Sequence, residues 1–230
     1  MLTVTTLFFA SIACSEVLED GFENYTSGAV SGQGTWKFHQ AESEAQLENA
    51  MVRDDKSTAR NGSRFLSLVG GDGETSVTLQ MHDTPLLLQG ENKASLAFSV
   101  RFDSPGVNGM EINVTPDSGG TYLCRLLINN KGEIFHYLAN GELEATNCAI
   151  SPGFWHRLEF IFDIGNRRYQ LKTTTDSDST SLLDETIPFP TTDSPVYNSF
   201  YTLQFKVDSA RGNEWLIDDI FVRDAQETAP

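Results

Sequence analysis

Basic residues are scarce in this chain. Its 230 residues include 16 Lys and Arg against 32 Asp and Glu, a formal charge of −16. Nucleic acids and anionic membranes are held through basic surface that displaces counterions, so this composition argues against both as general partners. Cysteine is scarcer still, at three. There is no Cys-x-x-Cys, and the four His are scattered, so the usual ligand sets for zinc and haem are missing. Beyond the N-terminus no segment approaches the ~18 apolar residues of a membrane-spanning helix. A helical period of useful length is also lacking; the one candidate, Glu42 to Met51, is rich in Ala, Glu and Gln but has poor apolar spacing. Gly-x-Ser-x-Gly does not occur.

What is present is period-two alternation. With 39% hydrophobic and 10% aromatic residues the chain can build a packed core. Leu96, Phe98, Val100 and Phe102 alternate with small or polar residues, as do Val77, Leu79 and Met81, then Leu158, Phe160, Phe162 and Ile164, then Tyr201, Leu203, Phe205 and Val207. Shorter strands fit Phe65–Val69, Tyr122–Ile128, Glu133–Leu138, Arg168–Thr173 and Trp215–Val222, with Gly, Asn and Pro turn signals between them. Many antiparallel strands with one apolar and one polar face predict an all-β, two-sheet antiparallel sandwich. No linker divides the chain, so one domain is expected over 16–224, followed by a tail at 225–230. The acidity suits a soluble extracellular protein, and it also offers the hard oxygen ligands that Ca²⁺ takes.

From Leu2 to Ala13 there is no charge, and the run is too short to span a bilayer. Its length and small-residue end match a signal peptide over 1–15, although no Lys or Arg precedes it. Cleavage fits after Ala13 or Ser15, and Ser11-Ile12-Ala13-Cys14 is similar to a lipobox in which Cys14 is lipidated. A secreted, periplasmic or cell-surface location follows. In an exported chain Cys124 and Cys148, expected near each other on strands around the Asn140-Gly141 turn, either pair or remain buried free thiols.

Three segments carry a family resemblance. They are Asp20-Gly21-Phe22-Glu23-Asn24-Tyr25 with Gly32-Gln33-Gly34-Thr35-Trp36; Gly153-Phe154-Trp155-His156-Arg157-Leu158-Glu159-Phe160 with Arg168-Tyr169-Gln170-Leu171; and Glu214-Trp215-Leu216-Ile217-Asp218-Asp219-Ile220-Phe221-Val222. In order and spacing they resemble the opening strand, the Gly-x-Trp-His-Arg strand with its hairpin partner, and the closing strand of concanavalin A-like lectin/glucanase jelly rolls. Laminin-G-like and legume-lectin-like domains belong to the same superfamily.

The resemblance implies a jelly roll whose first and last strands lie side by side and hold a structural Ca²⁺. Its ligands would be Glu23 and Asp218, with carbonyls near Gly70–Asp72. Asp219 is a further acidic candidate, but on a regular strand it faces away from Asp218. Laminarinase-type members carry Glu-x-Asp-x-x-Glu on one strand. Here Glu111 is followed by Asn113 and Pro116, so the carboxylate pair of a retaining glycosidase is not supplied. Gln80-Met81-His82 matches a short alginate-lyase-type motif, but its Arg-x-Glu-x-Arg partner is absent.

Arg101, Arg125, Arg157, Arg168, Lys172 and Lys206 fall opposite the apolar stripes. On one shared sheet they form a cationic groove for an acidic or sulfated glycan, with Trp36, Phe135, Tyr137 or Trp155 as stacking groups; otherwise they are ordinary cross-strand ion pairs. The ligand-binding candidates are Arg125, Tyr137, Trp155, Arg157 and Arg168. The expected function is an exported, non-catalytic glycan-binding or cell-surface module. A polysaccharide lyase or hydrolase with an unrecognised site and an adhesion domain without a sugar ligand are the alternatives.

Overall fold

The computed structural model describes residues 16–38, 48–70, 75–80, 93–103, 109–116, 121–175, 182–183, 186–190, 200, 202–207 and 214–224. The expected signal segment with Cys14, residues 71–72, His39, His82 and the tail lie outside these residues.

Among the described residues seventeen strands form in chain order: β1 (Glu16–Asp20), β2 (Gly28–Ala29), β3 (Trp36–Phe38), β4 (Ala50–Asp54), β5 (Arg64–Val69) and β6 (Thr75–Gln80). They continue with β7 (Lys93–Phe102), β8 (Met110–Thr115), β9 (Cys124–Ile128), β10 (Glu133–Tyr137), β11 (Leu143–Ala149) and β12 (His156–Asp163). The last are β13 (Arg168–Thr175), β14 (Leu182–Leu183), β15 (Ile187–Pro188), β16 (Thr202–Val207) and β17 (Glu214–Asp224). One sheet runs β14-β13-β12-β7-β17-β5-β4-β2, with β1 paired to β17 and β15 to β13; the other runs β11-β10-β9-β8-β16-β6-β3. The expected all-β antiparallel sandwich is what the chain forms. Among the described residues no helix is long and apolar enough to cross a membrane. Ala50 and Met51, at the end of the helix candidate, lie in β4 instead.

Alternation places the core. On β12, Leu158, Phe160 and Phe162 are buried while Arg157, Glu159, Ile161 and Asp163 are half-buried on the outer face. Phe98 on β7 meets Phe205 on β16 edge-to-face at 5.0 Å between centroids, joining the two sheets. Trp36 stacks on Phe205 at 6.4 Å and is itself fully buried, so it belongs to the core and offers no platform to a ligand.

Two expectations about neighbours change here. Cys124 on β9 and Cys148 on β11 are buried free thiols, and β10 lies between their strands. Two strand spacings are ~10 Å, beyond the ~7 Å limit on Cα separation for a disulfide. The second change is in β17. Asp218 pairs with Ser99 of β7, but the next paired residue, Phe221, meets Ala97. Three steps on β17 therefore match two on β7, which is a β-bulge, and Asp219 sits in it at φ 50°. Trp215 and Ile217 face the core before the bulge and Ile220 and Val222 after it, so the bulge puts Asp218 and Asp219 on the same, outer side. The regular alternation that separates them is broken at that point.

Candidate functional site

The outer face of the seven-stranded sheet carries a connected polar cluster. Glu111, Asn113 and Thr115 project from β8 because Met110, Ile112 and Val114 take the core side. Across the ladders Glu111 lies opposite Lys206, and Asn113 lies between Gln204 and Arg125. Arg125 Nε donates to Glu111 Oε1 at 2.9 Å, Asn113 Nδ2 donates to the same oxygen at 3.0 Å and to Gln204 Oε1 at 2.9 Å, and Tyr137 OH approaches Glu111 Oε2 at 3.4 Å. The Arg125 guanidinium lies 3.9 Å over the Tyr137 ring and 5.5 Å from that of Tyr122. Asn113 is 2% exposed, yet its Oδ1 has no hydrogen-bond partner. A buried acceptor left without a donor costs about 1–3 kcal/mol, and this atom lies beneath the surface of the cluster rather than on it.

The electrostatics follow from these contacts. Burial pushes the Glu111 pKa up, but the hydrogen bonds from Arg125 and Asn113 and the charge of Arg125 outweigh it and hold the carboxyl below its ordinary value. Burial, then the neighbouring Glu111 charge, raises the Tyr137 phenol. At neutral pH the face presents an ionised acceptor, a phenol donor and a guanidinium over an aromatic ring.

The β17 bulge builds a second cluster. Asp218 Oδ2 accepts from the backbone N–H groups of Arg60 at 3.1 Å and Asn61 at 3.3 Å, and its Oδ1 accepts from Asp219 N–H at 2.8 Å. Asp219 Oδ2 accepts from Arg60 Nη1 at 2.8 Å and Asn61 Nδ2 at 2.5 Å. Burial, with the adjacent Asp219 charge, pushes the Asp218 pKa up to about 7 against three backbone donors. Gly21 approaches closely: a Cβ there would stand 3.7 Å from Asp219 Oδ1 and 4.0 Å from Asp218 Oδ1. A cavity of about 680 Å³ opens beside it, lined in part by Glu19, Asp20, Glu23, Asn61 and Asp219.

Glu23 has a different partner set from Asp218. Its Oε1 accepts the Ser63 and Arg64 N–H groups, each at 2.7 Å, and Arg64 Nη1 donates to its carbonyl at 2.7 Å. Glu23 thus clamps the 60–64 loop. Gly62, at φ +62°, lies so close to this carboxylate that a Cβ would collide with it. Glu23→Ala is expected to cost about 1–3 kcal/mol of stability by urea unfolding; a change under 0.5 kcal/mol would rule out the clamp.

The five expected ligand-binding residues divide between opposite faces. Arg125 and Tyr137 come together on the seven-stranded sheet. Arg157, Arg168 and Trp155 belong to the ten-stranded side. Trp155 is 8% exposed and donates its indole N–H to the Thr58 carbonyl at 3.0 Å, packing with Phe65 and Leu216, so it offers no stacking face. His156 is buried and accepts from the Ser151 N–H at 2.9 Å, so it belongs to the packing of this face. Sequence reasoning missed Gln204 and Tyr122, which join the first cluster, and Arg60 and Asn61, which hold the second. The alternation that set Lys206 on the outer face places Gln204 there too; only the Asn61-Gly62 turn signals the loop.

No family model matches the chain, and no curated protein matches it in sequence. Solved structures do match it in fold. The chain is similar to a GH131 β-glucanase catalytic domain from Podospora anserina, with TM-score 0.64 and 12% identity over 92% of this chain and 97% of that one. It is also similar to lectin II from Ulex europaeus, with TM-score 0.56 and 11% identity over 91% of this chain and 99% of the lectin. A sialidase matches with TM-score 0.60 and 12% identity over 94% of this chain, which spans only 19% of the sialidase. With lectins and a glucanase both sharing its two-sheet architecture, the chain has the concanavalin A-like jelly-roll fold.

Proposed function

We propose that the outer face of the seven-stranded sheet binds a glycan, and that the chain is an exported, non-catalytic lectin-like module. The observation that carries this is the Glu111–Arg125–Tyr137 cluster on that face, fixed by Asn113 beneath it. Sugars present hydroxyl groups and flat C–H faces. Glu111 accepts from hydroxyls, Tyr137 OH donates, and Tyr137 and Tyr122 supply rings. Lectins of the same fold support a carbohydrate ligand as a class. Lys206 and Arg125 lie on the strands either side of Glu111, which favours an acidic glycan despite the overall charge of −16.

The non-catalytic part rests on carboxylate spacing. Glu133 lies two strands across and one row along from Glu111, ~12 Å away by strand geometry, and is bonded to Asn129. Paired glycosidase carboxylates stand about 5–9.5 Å apart.

A calcium ion at the β17 bulge is a separate part of the proposal. Asp218 and Asp219 present oxygens toward Gly21, where the missing Cβ leaves room, and such oxygens suit a hard cation. Glu23 is committed to the 60–64 loop, and among the described residues no three His, Cys, Asp or Glu converge. The two aspartates would hold the ion with carbonyls and water completing its shell.

A glycan array run with calcium and with chelator tests the binding surface. Wild type is expected to bind uronic or sulfated glycans, and Tyr137→Ala to bind at least ~10-fold more weakly, a loss of about 1.4 kcal/mol. No binding by wild type in either condition would favour an adhesion scaffold, and Glu111-dependent release of sugar would establish an enzyme.

A further inference from the structure

Cross-strand rows on the outer face of the seven-stranded sheet change character along their length. Ala145 on β11 lies opposite Phe135 on β10, Phe135 opposite Leu127 on β9, Leu127 opposite Glu111 on β8 and Glu111 opposite Lys206 on β16. Residues directly opposite share a face, so one row runs from three apolar side chains into an acid and a base. The neighbouring row does the same. Leu143 lies opposite Tyr137, whose ring carries the Arg125 guanidinium, and Asn113 and Gln204 follow. Leu127 and Phe135 are half-buried, Ala145 is exposed and Leu143 is 44% exposed. None of the four belongs to the buried core, because Leu126, Ile128 and Ile134 take the core side of these strands. Their side chains neither donate nor accept a hydrogen bond.

Resting on the glycan reading above, we propose that this apolar strip receives the acetyl group of an O-acetylated acidic glycan anchored at the Glu111 cluster. Its size decides against a protein occupant. From β9 to β11 the strip covers two strand spacings, ~10 Å, and from Phe135 to Tyr137 two residues, ~7 Å. A stable protein interface buries about 800 Å² per partner, roughly tenfold more than that footprint. Chemistry decides against an unsubstituted sugar, whose hydroxyls over Leu127, Phe135 and Ala145 would leave water without gaining a partner. An acetyl methyl loses no hydrogen bond there and gains burial. A methyl ester would supply the same methyl but remove the carboxylate charge that Lys206 attracts. Leu127 stands one strand spacing, ~5 Å, from Glu111, so a sugar ring held by Glu111 and Tyr137 sets its neighbouring substituent on the strip.

Calorimetric titration of the full chain with O-acetylated oligogalacturonate, and with the same oligosaccharide after deacetylation, reads the contribution of the strip. Wild type is expected to bind the acetylated form at least ~3-fold more tightly, the worth of burying one methyl group. That ratio should persist at high salt, which screens charges but not apolar contact. Phe135→Ala and Leu143→Ser should each bring the ratio toward one. Leu143 is exposed enough for its variant to keep its fold, and thermal melts separate folding losses from binding losses in both. Phe154→Ala, which removes a side chain 54% exposed elsewhere, should leave the ratio unchanged. Equal affinity of wild type for the two forms would overturn the assignment and leave the glycan face standing, since Tyr137→Ala would still weaken both. Binding of neither form would also overturn it, and the glycan array then shows whether the glycan face falls with it. A ratio unchanged in the folded Phe135→Ala and Leu143→Ser variants, or a dimer of the chain that Leu143→Ser dissolves, would each overturn it as well.

Discussion

Phe205→Ala is expected to lower the unfolding free energy by about 3–5 kcal/mol, the range for deleting a large buried aromatic side chain. Phe205 is fully buried on β16, meets Phe98 across the sandwich at 5.0 Å and stacks with Trp36 at 6.4 Å. Removing the ring forfeits its transfer free energy and leaves a cavity between two sheets whose hydrogen-bonded ladders restrict collapse. Two aromatic contacts are lost as well. Urea unfolding followed by tryptophan fluorescence measures the change. Phe154→Ala, at a side chain 54% exposed, is the comparison and should shift stability by less than about 0.5 kcal/mol. Equal effects from the two substitutions would refute this description of the core.

Asp218 carries the second large effect. Its pKa is about 7 in the folded chain against an ordinary 3.8, so between those values the folded state holds a proton that the unfolded state has lost. Stability is then fully present below about pH 4 and is lost as pH rises through 7. The shift corresponds to at most about 4 kcal/mol, at about 1.4 kcal/mol per pKa unit. In chelator, wild type should melt at a lower temperature at pH 8 than at pH 5, measured as a difference from Asp218→Asn. The amide keeps an oxygen for the Arg60 and Asn61 N–H groups without the charge, so it should flatten the pH profile and be the more stable protein at pH 8. Calcium should restore the wild-type melting temperature at pH 8 and leave Asp218→Asn unmoved. A wild-type melting temperature indifferent to calcium would remove the proposed ion, whereas the pH slope in chelator tests burial of the carboxyl alone.

The strands were legible where large apolar residues alternate with small or polar ones. β7, β12, β13 and β16 each show this alternation in the sequence, and β12 and β13 pair throughout their length as the hairpin expected of Gly153–Leu171. β11 was not legible: it sits at a sheet edge with most of its residues exposed, so no apolar period marks it. β8 does alternate, and its outward residues Glu111 and Asn113 drew attention only as an incomplete glycosidase motif. Their pairing with Arg125 and Gln204 depends on β9 and β16, strands 14 and 91 residues away along the chain by those contacts.

Net acidity, the alternation of apolar and polar positions and the turn residues between strands follow from local chemistry, so the sequence by itself determined an all-β sandwich and the likeness at its opening, middle and closing segments. Which outward residues share a sheet is decided by strand order. That order separates Arg125 and Tyr137 from Arg157 and Arg168, and it inserts β10 between Cys124 and Cys148. The bulge at Asp219 also belongs to tertiary structure. Period-two reasoning assigns Asp218 and Asp219 to opposite faces, and only the pairing of β17 with β7, with β5 giving way to β1 on its other edge, brings both carboxylates to Arg60 and Asn61. Scarcity of basic residues argues against nucleic acid as a general partner because that binding depends on bulk charge. Positions of the few basic residues in folded space determine whether an acidic chain presents a basic face.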